Sequence, residues 1–137
     1  MTLREFVNTM VFGILMPKYG RPTFDDVKET YDSTPFLLPR VYCKDGFNIS
    51  VQCNNGNYCA SENGVREFGI DWKLVEWGFP SEEIDGSKYN AEDESNTKET
   101  VGGYVEIELL EELISEHGGI DLSMTLSRAL PKGVGLE

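Results

Sequence analysis

Three cysteines and a single histidine are the residues of this chain that could bind a metal ion. Cys43, Cys53, Cys59 and His117 would together supply a Cys₃His ligand set of the kind that holds zinc. Structural zinc sites usually take ligands in pairs about two to four residues apart, so that one turn delivers two donors. Nine residues separate Cys43 from Cys53, and five separate Cys53 from Cys59. We therefore expect buried cysteines that pack as small hydrophobic side chains, and neither a metal site nor another cofactor.

The same residues could also form a nucleophile and its general base. Cys53 or Cys59 would attack and His117 would accept the proton, if the fold brought them within hydrogen-bonding distance. His117 stands directly before two glycines, however, and a histidine there suits the negative end of a helix that closes with glycine. We interpret His117 as part of a helix cap, assign no catalytic residue and expect a protein that is not an enzyme.

Negative charge is the strongest compositional feature of the chain. The 137 residues carry 24 acidic and 12 basic side chains, which gives a net charge of -12. Residues 81–116 hold twelve of the acids and only two lysines. An excess of this size argues against binding to nucleic-acid phosphates or to an anionic membrane, and it favours a basic protein partner.

The acids of this segment have two interpretations. A solvated loop followed by a solvated helix face explains them without any partner. Alternatively, carboxylates on a rigid helix and its neighbouring loop can take the positions of phosphates in a basic groove, where electrostatic steering speeds association. For that case the sequence predicts a set of partner-binding carboxylates, which comprises Glu82, Glu83, Asp85, Glu106, Glu108, Glu111, Glu112 and Glu116.

A polar strand face is the second candidate site. Residues 47–53 alternate between apolar and polar side chains after an Asp-Gly turn, which predicts the second strand of a hairpin with one face in the core. The other face is either an exposed sheet surface or part of a pocket for a small ligand or nucleotide. The residues predicted to line such a pocket are Asn48, Ser50, Gln52, Asn57 and Tyr58.

The elements that would position these residues can be read from periodicity and capping. A capping box at residues 2–5 predicts a helix that ends before Pro17, and a second start signal at Pro22 predicts a short helix that ends before Pro35. Strands are predicted at 40–43, 47–53, 58–60, 72–79 and 101–107, and helices at 108–116 and from 121 to Pro131. This order predicts an α+β domain, with an antiparallel sheet of about three to five strands and helices packed on one face.

The length of the chain predicts a single domain. We place it at residues 1–135, because the terminal Leu136-Glu137 resembles a cloning scar. Residues 81–100 have almost no apolar anchors, and their composition is typical of a mobile acidic loop. The odd cysteine count and the absence of a signal-peptide pattern predict reduced thiols in a cytoplasm.

Four short pieces of the chain resemble, in their order and spacing, a family of small uncharacterised proteins of bacteriophage and prophage genomes. They are DGFNISVQ at 45–52, NYCASENG at 57–64, VEWGFPS at 75–81, and GYV at 103–105 leading into the helix that ends HGG at 117–119. The resemblance covers residues 40–120 and brings no established catalytic residues with it.

The resemblance implies an origin in a phage or another mobile element. Small acidic phage proteins of this size are similar to anti-CRISPR and other anti-defence inhibitors. By this analogy the chain would act in the host bacterial cytoplasm as a protein that imitates DNA. Its partner would be a host defence protein with a basic groove, such as a CRISPR effector, and it would bind neither nucleic acid directly nor a membrane.

Overall fold

The structure of the protein is a computed structural model that describes residues 1–15, 37–54, 57–61 and 72–129. The helix predicted to begin at Pro22 and the terminal Leu136-Glu137 lie outside these residues. None of the described helices is long and apolar enough to cross a membrane.

A five-stranded antiparallel sheet forms the centre of the described fold. Its strands are β1 (Val41–Tyr42), β2 (Asn48–Gln52), β3 (Ala60–Ser61), β4 (Trp72–Gly78) and β5 (Val101–Glu106). β4 is the central strand: β2 and β3 pair one after the other along one of its edges, and β5 pairs along the other. β1 extends the sheet beyond β2.

The two faces of the sheet have different environments. In β2, Ile49 and Val51 are fully buried whereas Asn48, Ser50 and Gln52 are half-buried, which confirms the predicted alternation. Gln52 pairs directly with Glu76 of β4, and directly opposed residues share a face. We call the face that carries Asn48, Ser50, Gln52 and Glu76 the outer face.

Three described helices accompany the sheet: α1 (Leu3–Leu15), α2 (Ile107–Glu116) and α3 (Leu122–Ala129). The capping hydroxyl predicted for α1 is in place, since Thr2 Oγ1 accepts a hydrogen bond from the backbone N–H of Glu5 over 3.1 Å. α1 packs against α2, both contact β4, and α3 packs against β1. The predicted α+β class is therefore confirmed.

The core joins α1, the inner face of the sheet and α2 in one apolar cluster. Phe6, Phe47, Trp72 and Trp77 are its largest fully buried side chains, and α2 adds Ile107 with three further apolar residues. Each fully buried side chain of this kind stabilises the fold by about 1.5–3 kcal/mol. The periodic apolar residues of the sequence thus act as core residues.

Buried side chains and hydrogen bonds connect residues 81–100 to the core and to one another. The buried indole of Trp77 donates a hydrogen bond from Nε1 to the backbone oxygen of Tyr89 over 2.7 Å, and the Tyr89 side chain is itself buried. Thr97 is fully buried, and its backbone N–H donates to the Glu83 carboxylate over 2.8 Å. The mobility expected for this segment stays a prediction.

Candidate functional site

The acidic helix face has the predicted orientation at Glu108 and Glu112, whereas Glu111, which was also predicted to point outward, is half-buried. α2 buries Ile107, Leu110, Leu113 and Ile114, so Glu108, Glu112 and Glu116 lie on its exposed side at successive turns. Glu111 is half-buried towards α1, and Glu106 is exposed at the residue before the helix begins. We call the eight carboxylates predicted from the sequence the acidic surface.

Three members of the acidic surface come from distant parts of the chain and meet at one cleft. Glu83 and Asp85 line it from the loop after β4, and Glu116 lines it from the end of α2. The cleft has a volume of about 310 Å³, and Lys88 and His117 also line it. The fold therefore gathers carboxylates that are about thirty residues apart in sequence into one region.

The two loop carboxylates of this cleft are held in their ionised form by local hydrogen bonds. The pKa of Glu83 is lowered chiefly because its carboxylate accepts a hydrogen bond from the Thr97 hydroxyl, and backbone N–H donors add to the effect. The pKa of Asp85 is lowered chiefly by the Ser87 hydroxyl, at 2.8 Å, and then by the backbone N–H of Lys88. Both groups are negative at neutral pH.

Part of the acidic surface contacts cations of the same chain. The guanidinium of Arg4 forms an ion pair with Glu108, and the backbone N–H of Arg4 donates to Glu111 Oε1 over 2.9 Å. Lys88 Nζ lies 3.9 Å from Glu112 Oε2. In the described part of the chain, Glu82, Glu106 and Glu116 form no ion pair. The structure thus divides the predicted set into carboxylates that are already paired and carboxylates that are not.

The polar strand residues bond within the chain. The side-chain amide of Gln52 accepts a hydrogen bond from the backbone N–H of Leu38 over 2.8 Å and donates one to the Leu38 oxygen over 3.0 Å. These are the two bonds that the backbone of a paired strand residue would form. Asn48 Oδ1 accepts a hydrogen bond from Arg40 Nε over 2.7 Å. Asn48 and Gln52 therefore position neighbouring segments, and a ligand would have to compete for these groups.

A cleft of about 390 Å³ lies beside them on the outer face. Ser50 and Gln52 line it together with Leu37, Glu76 and Phe79, and the last of these is 51% exposed. Asn48, Asn57 and Tyr58, the other three residues predicted for this face, are not among the cleft's lining residues. The predicted ligand face is therefore divided into two parts.

Glu76 connects the two parts, and sequence reasoning did not single it out. Its side chain lines the cleft, while Oε2 accepts a hydrogen bond from the backbone N–H of Tyr58 over 2.7 Å and Oε1 one from Asn57 Nδ2 over 3.4 Å. Sequence alternation would have placed Glu76 opposite the buried Val75 and Trp77. Its contact with Tyr58 depends on long-range pairing that no local pattern shows.

Tyr104 was also missed, and it lies next to Tyr58. The β4–β5 register shifts between Val75 and Trp77, so two residues of β5, Gly103 and Tyr104, face Glu76 alone in a β-bulge. Tyr104 has a φ of 52°, a left-handed conformation that costs a bulky residue about 1–3 kcal/mol. The Gly-Gly pair before Tyr104 was the available signal, because glycine within a strand often marks a bulge.

The cysteines and the histidine do not assemble into a reactive centre in the described part of the chain. Cys43, Cys53 and Cys59 are buried thiols that form no disulfide, and Cys59 Sγ donates to the Asn54 oxygen over 3.3 Å. His117 bonds to Asp45 instead. Among the described residues, no group of three potential ligands could hold a metal ion.

His117 has the capping position expected for it. Its backbone N–H donates to the Ile114 oxygen at the C-terminal end of α2, and Gly118 and Gly119 follow with φ values of 92° and 85°.

Comparison of the chain with protein-family models, with curated proteins and with solved structures finds no match. The fold places the chain in the α+β class, and part of its acidic surface is gathered at one cleft.

Proposed function

We propose that the protein is a phage-encoded inhibitor of a bacterial defence system, of the anti-CRISPR kind. Its acidic surface binds the basic groove in which a host effector, such as a CRISPR effector, normally holds nucleic acid. One observation supports this proposal: Glu83, Asp85 and Glu116 line the same cleft, beside the exposed face of α2. An acidic cluster of this kind offers a basic groove several negative charges at once.

The spacing along α2 suits this role. Glu108, Glu112 and Glu116 follow one another at intervals of four residues, which corresponds to about 6 Å of helix rise for each step. Such a row of charges on a rigid element can follow the path of a phosphate backbone. Binding would exclude nucleic acid by occupying its groove, and no catalytic group is needed.

The cations within the surface do not oppose this role. Lys88 and the side chain of Arg4 form exposed or half-exposed pairs, and such pairs contribute only about 0.2–1 kcal/mol each. A partner that brings several lysines and arginines can replace them. Exposed charges are screened over about 8–10 Å, so the affinity should fall steeply between low and physiological salt.

Charge reversal tests the proposal in cells. A bacterial strain with an active CRISPR system would express the wild type or a variant, and phage plaquing would be measured. Glu112→Lys with Glu116→Lys should abolish protection of the phage, whereas the matched reversal Glu92→Lys with Glu99→Lys, at exposed acids outside the acidic surface, should preserve it. Undiminished protection by the first variant would eliminate the acidic surface as the cause.

A small-ligand or nucleotide-binding module is the second candidate. The cleft of about 390 Å³ beside Ser50 and Gln52 favours it, because two of the predicted residues do line a concave surface. A thermal-shift screen against nucleotides distinguishes the two functions, since a ligand at 100 times its Kd adds about 2.7 kcal/mol of stability. A nucleotide that stabilises the wild type but not Ser50→Ala would favour this candidate.

A further inference from the structure

Two half-exposed tyrosines lie together at the bulge of β5. The rings of Tyr58 and Tyr104 are 5.8 Å apart between centroids and inclined by 43°, and the residues are 48% and 44% exposed. We propose that this tyrosine pair, together with the Glu76 carboxylate, binds an arginine side chain of a partner protein. The site is distinct from the acidic surface and does not depend on it.

Backbone hydrogen bonds fix the two tyrosines relative to Glu76. The N–H of Tyr104 donates to the Tyr58 oxygen over 2.8 Å, and the N–H of Tyr58 donates to Glu76 Oε2 over 2.7 Å. A Cβ on Gly103 would lie 2.5 Å from Tyr58 Cβ, so only glycine allows the tyrosine to approach β5 this closely. These contacts connect the segment that carries Tyr58 to both β4 and β5.

The backbone conformation of Tyr104 points to a role beyond packing. Glycine or asparagine would adopt its positive φ more easily than a bulky side chain does. Burial in the core does not explain why a tyrosine stands at position 104, because nearly half of Tyr104 is exposed to solvent. Strained residues that persist in a fold are concentrated at ligand-binding positions. An exposed aromatic ring on this strained backbone therefore favours a role in binding.

Charge and geometry select arginine as the occupant. A guanidinium within about 6 Å of a tyrosine ring is attracted to its face, and its planar fork can pair with a carboxylate at the same time. Glu76 supplies that carboxylate, and it forms no ion pair with the lysines and arginines of the described residues. The net charge of -12 adds a long-range attraction for a cationic partner.

Glu76, which bonds to the backbone of Tyr58, lies on the opposite side of the sheet from α2. Glu76 alternates along β4 with the buried Val75 and Trp77, and α2 packs against β4 and β5 with its buried side chains. A partner could therefore contact the tyrosine pair without touching the acidic surface, and the two surfaces can be tested separately.

A peptide titration followed by NMR tests the proposal on the full chain. The probe is a glycine- and serine-rich nonapeptide with a single central arginine, and its control carries citrulline, which has the same shape without the charge. Addition of the arginine peptide should shift the resonances of Tyr58, Glu76 and Tyr104 to saturation. The citrulline peptide should bind at least about tenfold more weakly, because it lacks the cation.

Variants separate a binding role from a structural one. Tyr104→Asn removes the ring at a position whose φ asparagine accepts, and it should weaken arginine binding about tenfold while the rest of the amide spectrum stays unchanged. Tyr104→Phe keeps the ring and should bind as the wild type does. Glu76→Gln should weaken binding several-fold more than Glu99→Gln, which removes the same charge at an exposed position outside the pair.

Three results would overturn the proposal. Equal binding of the arginine and citrulline peptides would show a neutral stacking surface. Equal weakening by Glu76→Gln and Glu99→Gln would show a diffuse effect of net charge. Absence of any shift at the tyrosine pair would show that the rings serve the fold alone. None of these results bears on the acidic surface, and loss of inhibition on reversal of Glu112 and Glu116 would leave this proposal untouched.

Discussion

Asp45 and His117 form a hydrogen bond of 2.6 Å between Oδ2 and Nδ1, and this bond joins the turn before β2 to the C-terminal end of α2. The histidine ring also stacks on Phe47, with centroids 4.0 Å apart and planes 11° from parallel. A backbone hydrogen bond strengthens this junction between the turn and the helix end, since the Lys44 N–H donates to the Gly119 oxygen over 3.0 Å. The single histidine of the chain is thus a structural connection between sheet and helix.

Replacement of Asp45 by asparagine should reduce the sensitivity of the fold to acid. The pKa of Asp45 is lowered, chiefly by the hydrogen bond from the Phe47 backbone N–H and then by His117. A carboxyl with a lower pKa in the folded chain stabilises the fold above its unfolded pKa of about 3.9, and the contribution disappears as the pH falls through the lowered value. Urea unfolding should therefore show a smaller loss of stability for Asp45→Asn than for the wild type below about pH 4.

The control for this experiment is Glu99→Gln, which changes an exposed carboxylate outside the junction. Its free energy of unfolding should follow the wild-type pH curve more closely than that of Asp45→Asn. If the curves of Asp45→Asn and the wild type ran parallel down to about pH 2, Asp45 would not be a source of the acid sensitivity.

Substitution of Gly103 by alanine should destabilise the protein by about 1–3 kcal/mol, the usual cost of forcing an extra group into a packed contact. The new Cβ would lie 2.5 Å from Tyr58 Cβ, so the segment that carries Tyr58 would have to move away from β5. Gly46→Ala is the comparison, because its Cβ would meet no atom of the described residues within 4 Å, while its positive φ opposes the substitution. A shift of the Tyr58 resonances in Gly103→Ala and not in Gly46→Ala would confirm the steric origin.

Trp77→Phe should loosen the segment that contains Tyr89. The indole N–H is the donor to the buried Tyr89 oxygen, and loss of a buried donor leaves that oxygen unsatisfied at a cost of about 1–3 kcal/mol, with the smaller ring adding a cavity. Amide hydrogen exchange should accelerate most at residues 85–91, more than in α2. Uniform acceleration across the chain would mean that Trp77 stabilises the fold globally and does not anchor this segment.

Lys88→Gln should leave stability nearly unchanged and strengthen binding to a basic partner. Among the described residues, Lys88 forms an exposed pair with Glu112 and lies 5.4 Å from the Tyr89 ring centroid, so its loss should cost no more than about 1 kcal/mol. Its removal makes the acidic surface more negative, so the association rate with a basic effector should rise, most clearly at low salt. A slower association would contradict the proposed use of this surface.

The thiols should react slowly in the native protein. Burial raises the pKa of Cys43 to about 11, with the Asp45 charge adding to the effect, and burial also raises the pKa of Cys53 well above its usual range. Because the thiolate is the reactive form, about one Cys43 side chain in a thousand would be ionised at pH 8. Labelling with a chromogenic disulfide reagent should be slow at first and complete in denaturant. Rapid labelling of Cys43 in the native state would show that the site opens readily.

Local patterns predicted most elements of the described fold, although the strand predicted at 58–60 is found at Ala60–Ser61 and the 3-10 helix Thr97–Glu99 was not predicted. The alternation in residues 47–53 predicted which side chains of β2 enter the core, and the capping hydroxyl of Thr2 marked the start of α1. The apolar period of α2 predicted its buried face and therefore the exposure of Glu108 and Glu112. These features depend on neighbours within a few residues, which is why a single sequence reveals them.

The candidate sites were predictable only in part. Sequence identified the acids and the polar strand face as sets, but it did not show that Gln52 bonds to the backbone of Leu38 or that Arg4 pairs with Glu108. It also gave no reason to place Tyr58 beside Tyr104, because their contact depends on the pairing of β3, β4 and β5 and on the bulge opposite Glu76.

By itself, the sequence determined that this chain is strongly acidic and that its helices and strands each have one apolar face. The tertiary structure decided which carboxylates meet at one cleft, which are paired with Arg4 and Lys88, and which aromatic rings remain exposed. The physical reason is that charge and periodicity are properties of single residues and their near neighbours. Clefts, ion pairs and ring contacts arise only when strand register and helix packing bring distant residues together.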